Sequence, residues 1–230
     1  EQRRIILASI NWEPYTGKNL PDQGFISQIV TEAFARTGYR VEFKYMPWSR
    51  ALHSAKKGEF QGLMNVYWKK DRIEFFKYSD GIWKVKEEFI CLSETPIAWV
   101  GDLENLKSHT IGVLRGSAQA EELKIAGFLI EEVNDQILNV KKLLKKRVDI
   151  VLSPASLFFY HLNSIAPDFN RARIKILKPA YKIYDLHLAF PKTRPDHRAL
   201  AVDFNLGLWQ IKTDGTFQKI LEKHSIRQPE

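Results

Sequence analysis

The fold class can be read from residues 4–46, RIILASINWEPYTGKNLPDQGFISQIVTEAFARTGYRVEFKYM. Apolar residues are dense from Arg4 to Ser9 and from Val41 to Met46, which predicts two strands. Between them, apolar side chains recur every three or four residues from Ile26 to Phe34, the spacing of an amphipathic helix. Gly38 follows this helix at a position where glycine commonly ends one. A strand, a helix and a second strand in this order predict an α/β fold.

The same alternation continues along the chain and starts again after a long extended segment, Ile82 to Leu92. A second extended segment, Tyr184 to Pro191, leads into two final helices, the first with apolar Leu200, Phe204, Leu208 and Ile211. We therefore expect two lobes, each a sheet flanked by helices, joined by two crossing strands. The expected first lobe comprises residues 1–88 and 187–230, and the expected second lobe comprises residues 89–186.

The composition is that of a globular chain. Of the 230 residues, 44% are hydrophobic and 12% aromatic, which excludes a disordered protein. No apolar run approaches the roughly 18 residues that a membrane span requires, so we expect a soluble mature chain. The first residues contain no apolar signal core, and we expect any export signal to have been removed before them. The single cysteine, Cys91, cannot form an intrachain disulfide and does not indicate a compartment.

A net charge of +8 suggests an anionic partner, but the basic residues are spread along the chain. The one dense basic run, Lys141 to Arg147, lies beside apolar Val140 and Val148, which favours a solvated helix face over a nucleic-acid patch. No nucleic-acid partner is expected. A strand that ends at Gly116 before a helix could still hold a small anion with backbone N–H groups and the Ser117 hydroxyl.

The sequence contains none of the common enzyme or metal-site motifs. It has no glycine-rich phosphate loop, no His-Glu-x-x-His, no Cys-x-x-Cys and no Gly-x-Ser-x-Gly. The six histidines do not fall at the spacing of helical metal ligands. We therefore expect no catalytic residue, no metal and no cofactor.

Aromatic and arginine side chains follow each of the first three predicted strands, at the point where the strand ends. In open α/β sheets ligands bind outside the carboxyl ends of the strands, so these side chains predict a pocket with aromatic walls and cationic anchors. The candidate ligand-binding residues here are Trp12, Tyr15, Trp48, Arg50, Asn65, Tyr67, Trp68 and Arg72.

Several short motifs agree in order and spacing with one known family. They include Trp12 to Tyr15, Pro47 to Leu52, Lys70 to Arg72, Val148 to Val151 and Lys212 to Thr216. With them, nearly the whole chain resembles the family 3 extracytoplasmic solute-binding proteins, the polar amino-acid binders of ABC importers. The resemblance implies a type II clamshell of two lobes that closes on a small-molecule ligand. It also implies a periplasmic or otherwise extracytoplasmic location and delivery of the solute to a membrane permease.

The same resemblance implies roles for individual residues. Trp12 and Trp48 match the aromatic side chains that sandwich the ligand. Arg72 matches the arginine that pairs with the ligand carboxylate through two hydrogen bonds, a geometry that a planar guanidinium suits and lysine does not. In the second lobe, Ser117 and the backbone around Gly116 and Ala118 match the residues that hold the same carboxylate.

Two positions depart from the family pattern. The acidic residue that clasps the ligand's ammonium group in the family's amino-acid binders is replaced here by Ser153 and Pro154. Tyr67 stands where a small hydroxyl residue is usual, and Arg50 adds a second cation. We therefore expect a small polar or anionic solute, either amino-acid-like or an organic acid, with a flat or cyclic body, and not a plain α-amino acid.

Two other functions remain open at this stage. The chain could be a sensing domain that signals to a membrane partner, with the same binding chemistry. It could also be an enzyme, since a few dehydratases share the clamshell, and Glu13 and Asp185 are the carboxylates available for acid or base catalysis. A monomer is expected in either case.

Overall fold

The computed structural model describes residues 3–226 and confirms the predicted α/β class. The strands are β1 (Arg3–Ser9), β2 (Tyr39–Tyr45), β3 (Gly62–Tyr67), β4 (Phe76–Tyr78), β5 (Trp83–Leu92), β6 (Ile111–Leu114), β7 (Ile130–Val133), β8 (Ile150–Ser153), β9 (Ile174–Ile176) and β10 (Lys182–Pro191). The α-helices are α1 (Phe25–Arg36), α2 (Trp48–Lys56), α3 (Ala118–Ile125), α4 (Gln136–Leu144), α5 (Ala155–Ile165), α6 (His197–Thr213) and α7 (Thr216–Lys223).

The described chain divides into two compact units. The first unit contains residues 3–84 and 185–226, and the second unit contains Val85–Tyr184. The chain passes from the first unit to the second within β5 and returns within β10.

In the first unit the strands are ordered β2, β1, β3 and β10, and β4 also pairs with β10. The strand β1 runs parallel to both of its neighbours, with Leu7 opposite Phe43 on one side and Gly62 on the other. The strand β10 is antiparallel to β3, with Leu186 opposite Tyr67. The carboxyl ends of β1, β2 and β3 therefore lie along one edge of this sheet. Trp12, Trp48 and Trp68 follow these ends as expected, whereas Asn65 and Tyr67 lie within β3, because this strand extends to Tyr67.

Helix α1 covers this sheet through the apolar face that the sequence predicts. Ile26, Ile29 and Phe34 on that face are fully buried. Helix α6 packs closely against α1 at Gly207, where an added Cβ would lie 1.9 Å from the carbonyl oxygen of Ala33. A residue without a side chain is therefore what allows the two helices to approach this closely.

In the second unit the strands are ordered β9, β5, β8, β6 and β7. The strand β6 is parallel to β7 and β8, whereas β5 is antiparallel to β8. Successive residues of β5 point to opposite faces, so Phe89 belongs to one apolar cluster with Ile111, and Ile90 belongs to another with Phe158.

The basic run of the second unit lies at the end of α4. Helix α4 ends at Leu144, and Val140 and Leu143 on its inner face are buried. Lys141 is exposed, and Lys142 forms an ion pair with Glu131. These contacts are those of a helix that is apolar on one face and solvated on the other.

Candidate functional site

Three buried aromatic side chains meet at the carboxyl edge of the sheet in the first unit. The rings of Trp12 and Tyr15 stack with their centroids 4.5 Å apart, and the ring of Tyr67 stands edge-on to Trp12 at 6.2 Å. The backbone amide of Trp12 donates to the Thr16 carbonyl oxygen at 2.7 Å, which closes a tight turn after β1. The amide of Ile26 donates to the Tyr15 carbonyl oxygen at 3.1 Å and ties this turn to α1. The cluster is therefore held by backbone as well as ring contacts.

Arg72 lies beside the indole of Trp48. It belongs to a short 3₁₀ helix after β3, and only 5% of its surface is exposed. Its guanidinium carbon is 5.7 Å from the Trp48 ring centroid, within the range of a cation–π contact. Burial raises the pKa of the Tyr78 hydroxyl, and the positive charge of Arg72 opposes this rise. The guanidinium is thus a fixed positive charge in a poorly solvated, aromatic environment, where it attracts an anion more strongly than in water.

Asn65, which is 8% exposed, lies within β3, two residues before the strand ends. Its φ of 60° is a left-handed conformation that asparagine tolerates better than most residues. Its Nδ2 donates to Thr16 Oγ1 at 2.9 Å, and Thr16 Oγ1 donates its own hydrogen to the Ile10 carbonyl oxygen. Thr16 Oγ1 can only accept from Asn65, so the amide orientation is determined. Asn65 Oδ1 is buried and has no hydrogen-bond partner among the described residues.

Two candidate residues of the first unit differ from this cluster in their surroundings. Trp68 is 53% exposed, in contrast to the buried Trp12 and Trp48. Arg50 is also exposed, although it lies on α2 only two residues from Trp48. The sequence correctly predicted that Arg50 follows β2 and that Trp68 follows β3. It did not predict that both side chains face solvent.

The candidate residues of the second unit form the start of α3. Ser117 is the N-terminal cap, and its Oγ accepts a hydrogen bond from the amide of Ala120 at 3.1 Å. Ala118 is the first helical residue, and Gly116 before it has a φ of 67°. The amide of Gly116 donates to Glu132 Oε1 at 3.3 Å. The Glu132 carboxylate thus accepts a hydrogen bond from the Gly116 amide, which the family resemblance assigns to ligand binding.

Sequence reasoning missed a buried carboxylate next to Ser153. Glu88 lies directly opposite Ser153 in the pairing of β5 with β8, and it forms an ion pair with Lys178. Ser153 itself is buried, with its hydroxyl donating to the Pro154 carbonyl oxygen. The detectable signal was a pair of glutamates directly before the apolar run Phe89 to Leu92, but the pairing register was needed to place Glu88 opposite Ser153.

A second carboxylate of this unit, Glu122 on α3, is held by three side chains of the returning chain. It accepts from the hydroxyl of Tyr181 at 2.8 Å, from Lys182 Nζ at 2.5 Å and from the hydroxyl of Tyr184 at 3.3 Å. Burial acts to raise the pKa of Glu122, but the bonds from Lys182 and Tyr181 outweigh it and lower the pKa. Burial and the nearby carboxylate raise the pKa values of both tyrosines. This cluster fixes α3 to the start of β10.

The first unit also contains a cleft of about 230 Å³ formed by none of the predicted site residues. Asp185 lines it and forms an ion pair with Lys84 at 3.4 Å. Lys212, also in the lining, donates to the Gly81 carbonyl oxygen at 3.3 Å, and burial lowers its pKa. Asp185, one of the two carboxylates considered for catalysis, is therefore already paired with a lysine.

Within residues 3–226, no helix has both the length and the apolar character required to cross a membrane. The same residues contain no group of three or more histidine, cysteine or acidic side chains arranged to hold a metal ion.

The sequence matches the bacterial extracellular solute-binding proteins, family 3, over residues 5–226. The chain belongs to this family. The proposed resemblance is thereby confirmed over nearly the whole sequence. A comparison with curated proteins gave no match.

Solved structures with the same fold have diverse roles. A histidine kinase sensor domain similar to periplasmic binding proteins is 17% identical, with 99% of each chain covered and a TM-score of 0.85. The arginine-, lysine-, histidine-binding protein ArtJ of Geobacillus stearothermophilus is 16% identical, with 99% of this chain and 97% of that chain covered and a TM-score of 0.81. An ancestral amino acid-binding protein, described as a precursor of cyclohexadienyl dehydratase, is 18% identical, with 96% and 94% covered and a TM-score of 0.74. These likenesses confirm the two-lobed type II fold of this solute-binding protein.

Proposed function

We propose that this family 3 protein binds a small solute that carries an anionic group. The observation that carries the proposal is the buried guanidinium of Arg72 beside the Trp48 indole. A guanidinium can form two parallel hydrogen bonds to a carboxylate, and its planar shape makes this pairing directional. Under this proposal the rings of Trp12 and Tyr67, at the same carboxyl edge of the sheet, contact the apolar part of the solute.

Asn65 adds a second requirement for the ligand. Its Oδ1 is an acceptor whose orientation is set by Thr16, and it has no partner among the described residues. A buried acceptor without a partner costs about 1–3 kcal/mol, which a ligand donor would recover. The ligand we propose therefore carries an N–H or O–H group in addition to its anionic group.

A plain α-amino acid fits this chain poorly. Its ammonium group needs a carboxylate partner, because a buried charge without one costs several kcal/mol. The family's clasping position is Ser153 and Pro154 here, and Glu88 opposite Ser153 is already paired with Lys178. Asp185 is paired with Lys84. We therefore propose an organic acid or a cyclic polar acid as the physiological class.

A thermal-shift screen tests the ligand class. The purified protein is heated with common amino acids, organic acids, opines and small oligosaccharides, because a ligand that binds only the folded state raises the midpoint. We expect shifts with anionic, flat or cyclic compounds. Calorimetric titration with the twenty common amino acids follows, and sub-micromolar affinity for any of them contradicts the proposed class.

For the cellular role we propose capture of the solute outside the cytoplasm and delivery to an ABC permease. Uptake of the labelled ligand tests this role when it is compared between the parent strain, a strain lacking the gene, and the same deletion strain with the gene restored. Uptake that does not change on deletion contradicts the role. The likeness to a histidine kinase sensor domain over 99% of both chains favours sensing as the second candidate. Under that alternative, deletion abolishes a ligand-induced transcriptional response while uptake is unaffected.

A further inference from the structure

Helix α6 presents an exposed apolar stripe on the side facing away from α1. Val202 is 64% exposed, Leu206 47% and Trp209 62%. Ala199 and Thr213, also exposed, extend the stripe by one position at each end. Large exposed apolar side chains that adjoin one another commonly mark an interaction surface.

The spacing within this stripe is that of a coiled-coil seam. Its members follow one another at intervals of three, four, three and four residues along a 17-residue helix. In heptad notation, Ala199, Leu206 and Thr213 occupy a positions, and Val202 and Trp209 occupy d positions. The opposite face of α6 is buried in its own unit, through Phe204, Gly207, Leu208 and Ile211. The free face thus has the pattern of a helix that packs against another helix.

The residues flanking the seam determine which partner and direction fit. Position g holds Arg198, Asn205 and Lys212, and position e holds Asp203 and Gln210. In a parallel pair of identical helices each g residue lies beside the e residue five positions later on the other helix. Arg198 then meets Asp203 of the second copy, and Asn205 meets Gln210 of the second copy.

An antiparallel pair of the same helices brings like charges together. With the apolar seam in register, Arg198 lies beside Lys212 of the second copy, and the two copies of Asp203 face each other. Asp203 uses its Oδ2 atom for the bond from the Tyr39 hydroxyl and for its contact with Arg3. Its Oδ1 atom can therefore accept a hydrogen bond from Arg198 of the second copy. Charge complementarity selects the parallel arrangement.

We propose that α6 mediates a parallel homodimer of this chain with two-fold symmetry, with the stripe from Ala199 to Thr213 as its seam. A two-fold axis along the helix pair uses the same surface of both copies, which makes the interface closed and self-complementary. The seam spans little more than two heptads, so the expected dissociation constant is on the order of micromolar. This assembly differs from the monomer expected from the sequence and is independent of the ligand proposed above.

Sedimentation velocity over low-micromolar to sub-millimolar concentrations tests the dimer. We expect the weight-average mass to rise from 26.8 kDa toward twice that value. Leu206→Glu places a charge in the seam and should keep the protein monomeric across the range. Ile125→Glu is the matched control, because Ile125 is a largely exposed apolar residue on α3, and it should dimerise like the wild type. A wild-type protein that stays monomeric, or dimerisation that Leu206→Glu leaves intact, overturns the proposal.

Oxidative cross-linking tests the direction of the helices. In a parallel pair residue 199 lies opposite residue 199 and residue 213 opposite residue 213, so Ala199→Cys and Thr213→Cys should each form a disulfide-linked dimer. The native Cys91 is buried and should not react. Lys141→Cys, at an exposed position of α4, is the control and should remain monomeric. Failure of both seam variants to cross-link, with a dimer present in sedimentation, contradicts the parallel arrangement.

Discussion

Replacing Gly207 by alanine tests the packing that supports the candidate site. In an isolated helix this change stabilises by about 1 kcal/mol, because alanine is the better helix former. Here the new Cβ would lie 1.9 Å from the Ala33 carbonyl oxygen and 2.6 Å from its carbon, so α6 and α1 must move apart by roughly 1 Å. Overpacking of a tight contact costs about 3 kcal/mol. The net expectation is a loss of about 2 kcal/mol in the free energy of unfolding.

The effect is measured by urea denaturation and by thermal melting followed by circular dichroism. For a chain of this size we expect the midpoint to fall by about 4–8 °C. Gly215→Ala is the control, because nothing lies near its added Cβ and only its φ of 82° is unfavourable. The control should lose about 1 kcal/mol. If Gly207→Ala is as stable as the wild type, the close approach of α1 and α6 is wrong.

Three further changes probe the described side chains. Trp12→Ala should lower the free energy of unfolding by about 3 kcal/mol, whereas the half-exposed Trp68→Ala should change it by less than about 1 kcal/mol, both measured in urea. Equal losses contradict the assigned burial. Asn65→Ala should weaken the affinity for the ligand found by screening by about 3- to 10-fold, as measured by calorimetry. An unchanged affinity shows that Asn65 Oδ1 does not contact the ligand. The pKa of Glu122 is lowered in the folded protein, so the stabilisation it gives is present at neutral pH and is lost as the pH falls through that pKa. The difference in unfolding free energy between wild type and Glu122→Gln should therefore shrink between neutral pH and about pH 3, and a constant difference contradicts this assignment.

The helices, the edge positions and the strands other than the three-residue β4 and β9 could be predicted from the sequence, because they depend on local periodicity. The spacing from Ile26 to Phe34 gave the buried face of α1, and the ends of three strands located Trp12, Trp48 and Tyr67 on one edge of the sheet. The family motifs independently indicated Trp12 and Trp48 as ligand-binding residues. These features need no knowledge of distant contacts.

Other features depend on register and on packing between distant segments. Glu88 lies opposite Ser153 only because β5 and β8 pair in one register, and a shift of one residue would turn its side chain to the other face. The unpartnered oxygen of Asn65 depends on a hydrogen bond to Thr16, 49 residues earlier. The exposed stripe on α6 was not predicted. The sequence pattern identified the buried face of that helix, but the exposure of Trp209 on the other face depends on which distant segments pack around it.

The central claim is that Arg72 anchors an anionic solute. Calorimetric titration of wild type and Arg72→Lys with the ligand found in the thermal-shift screen tests it most directly, with circular dichroism to verify that the variant is folded. Loss of a bidentate pair of hydrogen bonds costs about 2–3 kcal/mol, so we predict an affinity roughly 30- to 150-fold weaker in the variant. A folded Arg72→Lys protein that binds the ligand as tightly as the wild type contradicts the account.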